Sequence, residues 1–128
     1  MNTTTQDGNV TTQDSAETPG PAGAYSPSRR LGPFYQLSGQ VPKQLEGTGI
    51  EDQTVEALAQ VEALLAEQSL GWQDVLIVRV FLADDKYWDG MDATYRRIVG
   101  QPYPPRTTVS VGLAPGMLVE IDALAVIV

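Results

Sequence analysis

The 128-residue sequence has no cysteine and no histidine. Those absences exclude disulfides, thiolate nucleophiles and Cys/His zinc sites. They also remove the imidazole base, and with it Ser-His-Asp and Cys-His machinery. Acid–base chemistry is left to carboxylates, tyrosine, lysine or ordered water. Positive charge is scarce: 8 Lys and Arg stand against 16 Asp and Glu, for a formal charge of -8. Phosphate contacts need Lys and Arg, so a backbone-tracking nucleic-acid binder is disfavoured. No apolar run approaches the ~20 residues of a membrane span. The N-terminus lacks the basic start and apolar stretch of a secretory signal, and the expected location is the cytoplasm.

What is present suits one small domain. Hydrophobic residues make up 42 % of the chain, an ordinary globular share. Residues 1–20 stand apart, with three acids, no base and Val10 as their one branched aliphatic. Such a stretch buries too little apolar surface to offset its ordering entropy, which predicts a flexible acidic tail. Residues 21–128 are the expected domain. A chain of that size buries only ~60–70 % of its unfolded surface, so association would add useful burial.

Two β-prone runs flank the break at Leu31-Gly32-Pro33, and Phe34, Tyr35 and Leu37 give the second its strand character. Residues 43–50 read as a loop. A helix is predicted from about Glu51 to Gln68, with acids at its start and Leu58, Val61, Leu64 and Leu65 on one face. Residues 75–83, VLIVRVFLA, read as a strand buried on both sides. A second helix is predicted over 85–99, with Trp88, Met91, Tyr95 and Ile98 as its stripe and Gly100 and Pro102 as its stop. The end reads as a hairpin, Thr107–Leu113 and Leu118–Val128 around a Pro115-Gly116 turn of type II. The order ββ-α-β-α-ββ predicts an α+β sheet with both helices on one face. Both faces of the last strand are largely apolar, which predicts a covered second face and hence an oligomer.

Arg106 follows Tyr103-Pro104-Pro105, whose prolines stiffen its base. Its planar fork suits a carboxylate, although taken alone it reads as an exposed arginine in a weak pair. Glu120, with Asp122 two places on, lies in LVEIDALAVIV. It is either a carboxyl with a raised pKa, fit for acid–base work, or a solvated rim position. The expected hairpin register sets Glu120 opposite Ser110 and Arg106 roughly 13 Å along, with Thr108 on the Arg106 face. Tyr25 and Ser38 are further polar groups in β context, and Gly39 reads as a bulge or close-packing point. The glycines do not fit a phosphate-binding pattern, and the Asp84-Asp85 pair reads as helix-terminal charge rather than a metal cage.

The segments GAYSP, LSGQVP, EDQTVEALAQVEALL, DVLIVRVFLAD, MDATY, PPRTTVSV and LVEIDALA together resemble the RidA/YjgF (Rid) family over about residues 18–126. The resemblance implies a chorismate-mutase-like fold: a mixed sheet with two helices packed on one face, assembled as a homotrimer with ligand sites between subunits. It implies hydrolytic deamination of reactive enamine and imine intermediates of the 2-aminoacrylate type to 2-oxo acids and ammonia, without metal or cofactor. By the same resemblance Arg106 binds the substrate carboxylate and Glu120 positions water. Tyr25, Ser38, Gly39, Asp92 and Thr108 fall at substrate-binding positions. Asp92 stands where the family usually has asparagine; an ionised carboxyl there would repel a bound carboxylate unless it faces Arg106 or takes a proton. Ala24, Pro27, Ser69 and a short 43–50 loop are further departures. A pathway-specific enzyme for a larger imine and a non-catalytic carboxylate-binding trimer are the alternatives. A ribonuclease role fits the charge poorly.

Overall fold

The computed structural model describes residues 23–128 and, as backbone only, two strands within residues 2–14. Its elements are β1 (Asn2–Gln6), β2 (Val10–Asp14), β3 (Ser28–Leu31), β4 (Phe34–Leu37), α1 (Ile50–Glu67), β5 (Val75–Leu82), α2 (Trp88–Val99), β6 (Arg106–Ser110) and β7 (Val119–Val126). They form one mixed sheet in the order β1-β2-β3-β4-β7-β5-β6, in which β5 and β6 are parallel. Both helices and their positions agree with the periodicity of the sequence.

The helices cover one face of the sheet. Val78, Val80 and Leu82 of β5 and Val119, Ile121, Ala123 and Ala125 of β7 are buried with Ala57, Leu58, Val61 and Leu65 of α1 and Met91 and Tyr95 of α2. The Tyr35 hydroxyl donates to the Leu64 carbonyl at 2.9 Å, tying β4 to the end of α1. The other face carries Leu31 and Phe34, both exposed, together with Val109 of β6. Among the described residues these three apolar side chains stay exposed.

Of the expected tail, residues 1–20, the described backbone is that of β1, which pairs with β2, and β2, which pairs with β3. Threonine-rich segments have high strand propensity, and the open edge of β3 supplies backbone partners for β2. The expected boundary at residues 20 and 21 lies outside the described residues. One expectation is corrected, since the terminal hairpin is absent: β5 lies between β6 and β7, and β7 pairs with β4 and β5. The strongly apolar β5 takes an interior position, where both its edges are paired. The short, polar β6 takes the rim.

The turn at 114–117 is as read, with Met117 N–H donating to the Ala114 carbonyl at 3.0 Å and Gly116 at φ +81°. What anchors this turn escaped the sequence. Gln53, fully buried in the first turns of α1, donates to the Gly116 carbonyl at 2.9 Å and accepts from Leu118 N–H at 2.8 Å. Gln53→Ala would orphan both groups and is expected to cost about 2–4 kcal/mol in urea unfolding. An unchanged midpoint would show that water replaces the amide.

Candidate functional site

Arg106 begins β6 on the helix-covered face. The Pro105 carbonyl accepts from Val78 N–H at 3.0 Å, so the two prolines are laid onto β5 just before the arginine. Helix α2 passes over it, and helical spacing brings Trp88, Asp92 and Tyr95 to the same side. The guanidinium carbon lies 4.7 Å from the Tyr95 ring centre and 5.4 Å from that of Trp88, within cation–π range. Its Nη1 meets Asp92 Oδ1 at 2.9 Å, with side chains only 16 % and 13 % exposed. Asp92 Oδ2 accepts from Arg96 Nε at 2.8 Å. Burial pushes the Asp92 carboxyl up, but the hydrogen bonds from Arg96 and Arg106 outweigh it and hold the group below the usual carboxylate range. Asp92 therefore faces Arg106 and is ionised at neutral pH. Asp92, Tyr95, Arg96, Tyr103, Pro104 and Arg106 line a hollow of about 240 Å³. Burial pushes the Tyr95 hydroxyl up to about 12. The hydroxyls of Tyr95 and Thr108 are buried without a hydrogen-bond partner. Thr108 shares the Arg106 face, as expected from the strand alternation.

Glu120 is placed elsewhere. It stands opposite Phe81 on the uncovered face. Gln40 N–H donates to the Ile121 carbonyl at 2.7 Å and Ile121 N–H to the Gln40 carbonyl at 3.0 Å, which lays Gly39 beside β7. A methyl group on Gly39 would collide with Glu120 Oε2 and stand 2.7 Å from its Cδ, so only glycine leaves this carboxyl its place. Ser38 Oγ donates to the Pro27 carbonyl at 2.9 Å. Burial, reinforced by the nearby Asp122 charge, raises the Glu120 pKa. Asp122 is itself 6 % exposed and held in a fork by Arg79, at 3.0 Å to Nε and 2.6 Å to Nη2. Tyr25 is exposed in the loop before β3.

Arg106 and Glu120 were expected on one face of a hairpin. They lie on opposite faces of the sheet, two strands and three residues apart, which is ~14 Å at the usual strand spacings. Each has gathered its own group. Asp92 and Thr108 accompany Arg106, while Ser38 and Gly39 accompany Glu120. A single chain does not unite the two groups. Trp88, expected in the core stripe, is 42 % exposed and flanks Arg106 instead. The sequence reading missed Arg96, Tyr103 and Arg79. For Arg96 a signal existed, since four residues separate it from Asp92 on a helix. For Arg79 none did, because its pairing with Asp122 depends on which strand lies beside β7.

Among the described residues no group of three or more acidic side chains could hold a metal, and no helix is long and apolar enough to cross a membrane. A protein-family model described as Endoribonuclease L-PSP matches residues 15–127. A RutC family protein of Pyrococcus horikoshii is 32 % identical over 113 residues, covering 84 % of this chain and 90 % of the relative. A mitochondrial protein of Schizosaccharomyces pombe is 30 % identical over 112 residues, covering 81 % of this chain and 68 % of that protein. A crystal structure of a YjgF-family protein from Neisseria meningitidis superposes with a TM-score of 0.76 at 31 % identity, covering 81 % of this chain and 87 % of the other.

Proposed function

Because the chain belongs to the YjgF/RidA family, we propose that it hydrolyses reactive 2-imino acids and their enamine tautomers to 2-oxo acids and ammonia. The site would be completed where two subunits of a homotrimer meet. The observation that carries this reading is the division of the residues. Arg106 lies on one face and Glu120, a carboxyl of raised pKa, on the other. The face that carries Glu120 supports a neighbour's presence there, since Phe34, Leu31 and Val109, exposed elsewhere on it, would otherwise meet water. A second copy that covers this face with its β6 rim would bring its own Arg106 toward Glu120.

In such a cleft, Arg106 holds the substrate carboxylate through the fork donors that Asp92 does not use. Glu120 takes a proton from water as the water oxygen bonds to the imine carbon. The C–N bond then breaks, the nitrogen leaves as ammonia with the protons it gains, and the carbon becomes the ketone of the 2-oxo acid. The raised pKa of Glu120 makes it a stronger base than an ordinary glutamate. No step needs imidazole or thiol, in keeping with a chain that has neither.

The test generates 2-aminoacrylate with a serine dehydratase, traps surviving imine with semicarbazide and follows the 2-oxo acid. The full chain is expected to accelerate release and Arg106→Ala to give none. Equal rates with and without the wild-type chain would end the proposal. Gly39→Ala, which pushes on Glu120, is expected to lower kcat by up to ~10²-fold with KM and folding little changed. A normal kcat would mean that the carboxyl need not stay where it is.

A further inference from the structure

Arg106 is not a bare cation. One terminal nitrogen already holds Asp92, and the other Asp92 oxygen holds Arg96. Two guanidiniums thus share one resident carboxylate beside the hollow, leaving a single positive charge to be matched. The Arg106–Asp92 pair is largely shielded from water and persists in salt, whereas Arg96, 64 % exposed, contributes a softer charge. The remaining donors of the Arg106 fork have no hydrogen-bond partner among the described residues and are open to one ligand carboxylate. A second ligand carboxylate would find no unmatched cation in the hollow and would face Asp92.

The walls favour a neutral group. Tyr95, Tyr103 and Pro104 line the hollow, and Trp88 flanks Arg106. The hollow measures about 240 Å³.

We infer that Asp92 is the specificity-determining residue of this hollow, restricting it to 2-imino acids, and their 2-oxo acid products, that carry one carboxylate and a bulky neutral side chain, and excluding dicarboxylates. The inference rests on the proposed deaminase reading for the identity of the ligand. Its selectivity, however, is read by binding and needs no turnover.

The test is calorimetric titration of the full-length protein with phenylpyruvate and with 2-oxoglutarate. Wild type is expected to bind phenylpyruvate at least ~10-fold more tightly. Asp92→Asn keeps an oxygen for the arginines but removes the charge, and is expected to shrink that ratio ~10-fold by tightening 2-oxoglutarate. Arg96→Gln removes a cation and leaves Asp92 in place; it is expected to widen the ratio, which keeps the inference testable if the asparagine variant misfolds. Equal wild-type affinities, no binding of either acid, or a ratio unmoved by both variants would overturn it. Selective binding without imine hydrolysis would overturn the deaminase reading alone. Hydrolysis with an unmoved ratio would overturn only the role of Asp92.

Discussion

Glutamine in place of Glu120 is expected to slow imine hydrolysis by about 10²–10⁴-fold, the usual worth of a positioned general base. The amide matches the carboxylate in shape and can still hold water, but it cannot take a proton. The pH profile gives a second check. Burial and the Asp122 charge raise the Glu120 pKa, so activity should fall away on acidification at a higher pH than an ordinary glutamate would give. Asp122→Asn removes one of those two causes and should move the acid limb to lower pH. Stability carries the opposite sign. A carboxyl whose folded pKa is raised favours the fold most below its unfolded pKa, and this contribution is lost as pH rises through the folded value. Glu120→Gln should therefore melt higher than wild type near neutrality, with the gap closing in acid. A variant that is both slower and more stable is the signature of a charge kept for chemistry. If Glu120→Gln hydrolyses imines at the wild-type rate, the carboxyl is not the base.

Mixing two inactive variants is expected to restore activity. Arg106→Ala retains Glu120, and Glu120→Gln retains Arg106. If the two residues meet only across subunits, unfolding and refolding an equal mixture lets some interfaces combine an intact arginine from one chain with an intact glutamate from its neighbour. Random assembly of a cyclic trimer leaves about one quarter of the sites intact, so about one quarter of wild-type turnover should return from two near-zero parents. The expectation follows from the opposed faces of one sheet: ~14 Å and the sheet itself separate the residues within a chain. A site built inside one chain could gain nothing from mixing, because every chain in the mixture lacks one of its parts. Mixtures no more active than the parents would place the two residues in different sites or return them to a single subunit.

The helices and the inward alternation of β7 were legible from sequence because they depend on local periodicity. Leu58, Val61, Leu64 and Leu65 repeat at helical spacing, and Val119, Ile121, Ala123 and Ala125 alternate. The turn at Ala114-Pro115-Gly116 was legible because few residues adopt its dihedral angles. Strand neighbours were not. A turn followed by a strand suggests a hairpin, but nothing local reveals that β5 will be inserted between its arms. That insertion sent Arg106 and Glu120 to opposite faces. The same long-range pairing hid the Arg79–Asp122 fork and the Gln53 clamp, whose partners lie 43 and more than 60 residues away.

The sequence by itself determined the chemical repertoire, since a chain without cysteine or histidine has few groups able to move a proton. It also determined the α+β class, because short-range pattern suffices for that, and its family resemblance put forward Arg106 and Glu120 as candidates. Only the tertiary structure decided that Asp92 is bound to Arg106, and that the candidate site is split across the sheet. Charge pairing and the sidedness of a strand depend on which elements pack together, and that choice is made by long-range burial, which sets the strongly apolar β5 between β7 and β6.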